Sequence, residues 1–76
     1  MRFVLEAADG RLAGIEVKAS ATVRAEAFKH LATMRDRIGE ERFARGVVLY
    51  AGAERLRFGE RLEAWPVSVL WSPRER

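Results

Sequence analysis

The residues with the most chemistry to offer lie in one stretch, Gly14-Ile15-Glu16-Val17-Lys18-Ala19-Ser20. Apolar and polar residues alternate through it, which predicts a strand with Ile15, Val17 and Ala19 on one face and Glu16 and Lys18 on the other. With the apolar face buried, the carboxylate and the ammonium stand together at the open face. A Glu-x-Lys pair so placed is a half-site for metal-dependent chemistry: Glu16 holds a divalent metal and Lys18 orients or activates a water. The same spacing also describes an outward ion pair on a solvated strand face. Other reactive side chains are few. His30 falls on a helix, as a surface residue or an aid to phosphate chemistry. Asp9 is a turn residue. Arg11, Arg24, Arg35, Arg37, Arg42, Arg45, Arg55, Arg57 and Arg61 are scattered along the chain, which fits a solvated surface better than a phosphate-binding patch. Trp65 and Trp71 flank Pro66; they read as core caps, with interaction anchors as the alternative.

Composition narrows the classes. The chain has 76 residues, enough for one domain that buries only roughly 60% of its unfolded surface. It has no cysteine, so disulfides and cysteine-ligated zinc are excluded, and its single histidine excludes multi-histidine metal sites. Lack of cysteine fits a reducing, cytoplasmic location. No apolar run approaches the ~20 residues that span a membrane. The net charge of +3 permits nucleic-acid binding without demanding it. A hydrophobic fraction of 49% argues against disorder.

The elements that must position Glu16 and Lys18 follow in order. Phe3 to Ala7 is a first strand, Asp9-Gly10 a hairpin turn and Leu12 to Ala19 the return strand. Ser20 or Thr22 caps a helix from about Val23 to Ile38, whose Ala27, Phe28, Leu31, Met34 and Ile38 form one apolar stripe, with Gly39 as its stop. Phe43 to Tyr50 is a central strand, since Val47-Val48-Leu49-Tyr50 is continuously apolar. Leu56-Arg57-Phe58 and Arg61-Leu62-Glu63-Ala64 form a small hairpin turning at Gly59-Glu60. Pro66 opens a last short helix over Val67 to Trp71, placed to cover a sheet face, and Ser72 to Arg76 fray. The order strand–strand–helix–strand–strand–strand–short helix describes an α/β (α+β) domain with a mixed sheet of about four to five strands and one main helix.

A hairpin carrying Glu16-x-Lys18 on its second strand, followed by a helix and a buried strand, resembles the core of the PD-(D/E)XK, restriction-endonuclease-like nuclease superfamily. More closely, four segments in order resemble the C-terminal domain of unknown function of a large family of predicted prokaryotic AAA-type ATPases. These are Asp9-Gly10 through Ser20, Gly46-Val47-Val48-Leu49-Tyr50-Ala51-Gly52, Phe58-Gly59, and Pro66-Val67-Ser68-Val69-Leu70-Trp71. The resemblance spans nearly the whole chain. It implies that residues 1–76 are one domain, the C-terminal piece of a longer ATPase-family protein with a truncated restriction-endonuclease-like core. Two departures stand out. The chain has no Gly-x-x-x-x-Gly-Lys-Ser/Thr loop to cradle a nucleotide. The acidic residue that in the family precedes the match to Phe3, a metal ligand of the superfamily, is Arg2 here. Asp9 cannot replace it, being roughly 20 Å from Glu16 at strand rise, and Glu6 need not share Glu16's face.

Three functions are therefore in view. The first is a non-catalytic module that packs against, or reports to, an N-terminal ATPase domain and holds no cofactor of its own. The second is a nuclease using Mg²⁺ held by Glu16, with Lys18 at the attacking water and nucleic acid as substrate. The third is a small interaction domain that homodimerises through its first strand, an unprotected sheet edge.

Overall fold

The computed structural model describes residues 1–70. Trp71 and the fraying expected over Ser72 to Arg76 lie outside the described residues. Five strands form one sheet: β1 (Arg2–Glu6), β2 (Leu12–Val17), β3 (Phe43–Tyr50), β4 (Leu56–Gly59) and β5 (Leu62–Pro66). Their order across the sheet is β1-β2-β3-β5-β4. The two outer pairs are antiparallel hairpins, and β2, β3 and β5 run parallel. A short 3-10 helix (Ala25–Phe28) leads into the main helix α1 (Lys29–Ile38), and a second 3-10 helix (Val67–Leu70) ends the described chain. The mixed sheet, the single main helix and the element order are those the sequence predicts.

The helix sits on the sheet at one tightly fitted point. Gly14 of β2 and Gly46 of β3 are register partners. A Cβ at Gly14 would lie 2.7 Å from Leu31 Cδ2 and 3.1 Å from Met34 Sδ; one at Gly46 would lie 2.9 Å from Leu62 Cδ2 and 3.2 Å from Leu31 Cβ. The paired glycines thus form a floor on which Leu31, fully buried, is seated. Around it Phe28, Phe43, Val48, Tyr50, Leu62 and Ala64 complete the core, with the Phe28 and Phe58 rings stacked at 4.7 Å. Burying a side chain such as Leu31 contributes about 1.5–3 kcal/mol, so the domain's stability is concentrated on this face.

That contact fixes which way every strand residue points. Gly14 faces the helix, so Glu16 and Lys18, two and four residues on, face it as well. The expectation that Glu16 and Lys18 stand on an open face is thus corrected: the pair shares one face, but it is the helix-bearing one. Ile15 and Val17 point to the opposite face, in register with Val47 and Leu49. The helix-facing set of β2 includes Gly14, which has no side chain to mark that face in the alternation.

Smaller differences have local causes. The helix starts later than Val23, and neither Ser20 nor Thr22 caps it; Phe28 occupies the N-cap position with no side-chain bond. The Thr22 N–H donates to Ser20 Oγ at 3.1 Å and the two hydroxyls bond each other at 3.2 Å, a local turn that competes with helix. Gly39 ends α1 as predicted, at φ 93°. In the first hairpin Ala7 N–H donates to Arg11 O at 2.8 Å, so the turn spans Ala8-Asp9-Gly10 and not two residues. In the second, Gly59 pairs with Leu62, which shifts the turn to Glu60-Arg61. Arg61 takes a positive φ of 64°, held by its guanidinium donating to Glu40 O at 2.9 Å and Phe43 O at 3.0 Å.

The glycine floor makes a direct prediction. Gly46→Ala drives a methyl against Leu31 and Leu62 in a filled core and costs about 1–3 kcal/mol. Thermal melts followed by circular dichroism should show a midpoint lower by about 4–8 °C per kcal/mol. A variant that melts with the wild type would mean that Leu31 is not seated there.

Candidate functional site

Of the residues nominated for metal chemistry, Glu16 sits in β2 and Lys18 just past its end. Glu16 pairs with Val48 of β3 on one side and with Arg2 of β1 on the other. It is half-buried, and its Oε1 is shielded from solvent with no hydrogen-bond partner. Lys18 is exposed; its backbone N–H donates to Leu49 O at 2.8 Å, and its side chain lines a shallow cleft with Thr22, Arg24 and Glu26. Arg2 lines a different cleft, together with His30, Thr33 and Arg37. The fold therefore gives Glu16 and Lys18 a common face but opens Lys18 and Arg2 into separate clefts.

A divalent metal needs more than one carboxylate or a set of substrate phosphates beside it. The cross-strand neighbour of Glu16 on β1 is Arg2, a cationic residue and no second carboxylate. Glu6 does share Glu16's face, but it pairs with Leu12, about 13 Å along the strand at strand rise. Asp9 is tied into its turn, its Oδ1 accepting the Arg11 N–H at 3.0 Å. Among the described residues no three His, Cys, Asp or Glu side chains gather to hold a metal. Among the described residues Glu16 is thus the one carboxylate at this place, fewer donors than Mg²⁺ takes from a protein without substrate phosphates.

The arginines read as scattered are in part gathered. On the face away from α1, Trp65 donates its indole N–H to Glu63 Oε1 at 2.7 Å. The guanidinium of Arg55 lies 4.5 Å from the Trp65 ring centroid and that of Arg45 5.5 Å. Both also reach Glu63 Oε1, at 3.4 and 3.5 Å. Trp65 is half-buried in this cluster, on the side of the sheet opposite the main core it was expected to cap. The signal was present in β5: Leu62, Ala64 and Pro66 alternate with Glu63 and Trp65, which sends the latter two to the same face. Arg35 and Arg61 meet at the other end, in an open cleft with Glu40 and Glu60. There Arg35 Nη1 donates to Glu60 O at 3.0 Å, and Arg61 is committed to carbonyls. Arg35 and Arg61 thus tie the loops at this end together.

The remaining notable surface is β1. It is an outer strand, and all five of its residues are exposed. Phe3, Val4 and Leu5 are 41%, 49% and 55% exposed, an apolar run where edge strands ordinarily carry charge or proline. No helix of the described residues is long and apolar enough to cross a membrane.

A family model described as Domain of unknown function (DUF4143) matches residues 3–70. No curated protein and no solved structure gives a significant match. The matched span takes in β2 to β5 and β1 from Phe3 onward; Arg2 lies outside it.

The Glu63 cluster predicts a pH response. The Trp65 hydrogen bond, with Arg45 and Arg55 beside it, holds the Glu63 carboxyl below its ordinary value against the opposing effect of partial burial. A carboxyl lowered on folding adds stability above its unfolded pKa and loses it as pH falls through the folded one. Glu63→Gln should therefore lower the neutral-pH melting point and flatten its decline on acidification. Identical acid limbs for both proteins would remove Glu63 from that role.

Proposed function

The chain belongs to the DUF4143 family, and from that premise we propose that it is a non-catalytic interaction module of a larger protein whose other part is an AAA-type ATPase domain. One observation carries the reading: the cross-strand neighbour of Glu16 is Arg2. A guanidinium at that place repels a divalent cation and leaves Glu16 as a lone carboxylate. The nuclease-like half-site, Glu16 with Lys18, is then a charged pair retained on a sheet whose work is contact with other protein. The ATPase partner is inferred from the family resemblance of the four segments from Asp9 to Trp71. The exposed apolar residues of β1 supply a surface for contact with other protein.

The test is direct. Single- and double-stranded DNA and RNA, incubated with the protein and Mg²⁺ or Mn²⁺, should show no cleavage above that of the Lys18→Ala variant. Millimolar Mn²⁺ should leave the melting point unchanged, since no bound metal stabilises the folded state. In an Arg2→Asp variant two carboxylates face each other across β1 and β2, and Mn²⁺ should then raise the melting point. Metal-dependent cleavage by the wild type that disappears with Lys18→Ala would overturn the reading.

A further inference from the structure

We propose that β1 pairs edge to edge with β1 of a second copy, antiparallel and two-fold symmetric about Val4, to make one continuous sheet through both chains. The proposal rests on the interaction-module reading and names a partner for it.

The hydrogen-bond polarity of β1 sets which groups are available. Val17 N–H donates to Met1 O at 2.7 Å, and Ala7 N–H donates to Arg11 O at 2.8 Å. Odd-numbered residues of β1 therefore direct their backbone groups toward β2. The N–H and C=O groups of Arg2, Val4 and Glu6 point out of the sheet, to an edge that no other strand of the described residues occupies. Antiparallel pairing with Val4 opposite itself places Arg2 opposite Glu6 of the second copy at both ends. In that register every outward N–H meets a C=O. A shift by one residue turns the groups out of phase, and a shift by two leaves outward groups unpaired.

The side chains select the same register. Sequence Arg2-Phe3-Val4-Leu5-Glu6 is complementary to its own reverse: opposite charges at the ends, apolar residues between. Within the described chain neither Arg2 nor Glu6 has an ion-pair partner. The dimer gives both one. Phe3 falls opposite Leu5 of the second copy in a non-hydrogen-bonded pair, where facing side chains approach most closely. A two-fold axis through Val4 makes the contact self-complementary, so it closes at two copies and does not propagate. Five residues per strand make a small interface, so the association is weak and depends on concentration.

Sedimentation velocity over a concentration series at low salt reads this out. The wild type should convert from monomer to dimer. Val4→Pro should stay monomeric with an unchanged circular dichroism spectrum, because the Val4 N–H serves only the outer edge. Arg2→Glu and Glu6→Arg each place like charges opposite one another and should weaken dimerisation roughly tenfold or more. An equimolar mixture of the two restores opposite charges at both ends and should dimerise like the wild type. A wild type that remains monomeric at millimolar concentration, a dimer that survives Val4→Pro, or a mixture no better than its components would overturn the proposal. The proline variant and the mixture are read separately, so a folding defect in one leaves the other to decide. A monomeric wild type that cleaves no nucleic acid would refute the dimer and leave the non-catalytic reading standing.

Discussion

The seating of Leu31 on the Gly14–Gly46 pair is the constraint on which the rest of this structure depends. Two adjacent parallel strands each give up a side chain at the same level, and the helix comes close enough for Leu31 to fill the space. A side chain at either position would push α1 outward and open the core around Phe43 and Val48, both fully buried. A domain of 76 residues has little burial to spare, so one close helix–sheet contact carries a large share of its stability.

The same contact governs the charges. Strand alternation propagates from Gly14, so once it faces the helix, Glu16 and Lys18 face it too, and so does the neighbour across from Glu16, Arg2. Glu16, with one carboxylate oxygen shielded and unpartnered, stands in the sheet between Arg2 and Val48. The proposal of a contact module rests on the neighbour Arg2, a cationic residue where a second carboxylate would serve a metal.

Much of this was legible in the chain. The continuous apolar run Val47-Val48-Leu49-Tyr50 marked the central strand, and all four residues are buried. The stripe through Phe28, Leu31 and Met34 marked the helix face, and Asp9-Gly10 marked the hairpin. What could not be read was the facing of β2, because the residue that decides it is a glycine. Periodicity counts side chains and is blind to a position used for having none. The Arg45–Trp65–Arg55 arrangement was hidden for a different reason: it assembles residues from two strands, β3 and β5, and the loop before β4, whose proximity depends on β3 pairing with β5. By contrast the alternation within Leu62-Glu63-Ala64-Trp65-Pro66 was visible, and weighing it would have put Trp65 on the face away from the helix.

Nuclear Overhauser contacts in solution test the central constraint most directly. The methyl groups of Leu31 should show strong contacts to the α-protons of both Gly14 and Gly46, and the methyls of Ile15 and Val17 none to α1. Contacts from Ile15 or Val17 to the helix, with the glycine contacts absent, would reverse the sheet's facing and contradict the placement of Glu16, Lys18 and Arg2 derived from it.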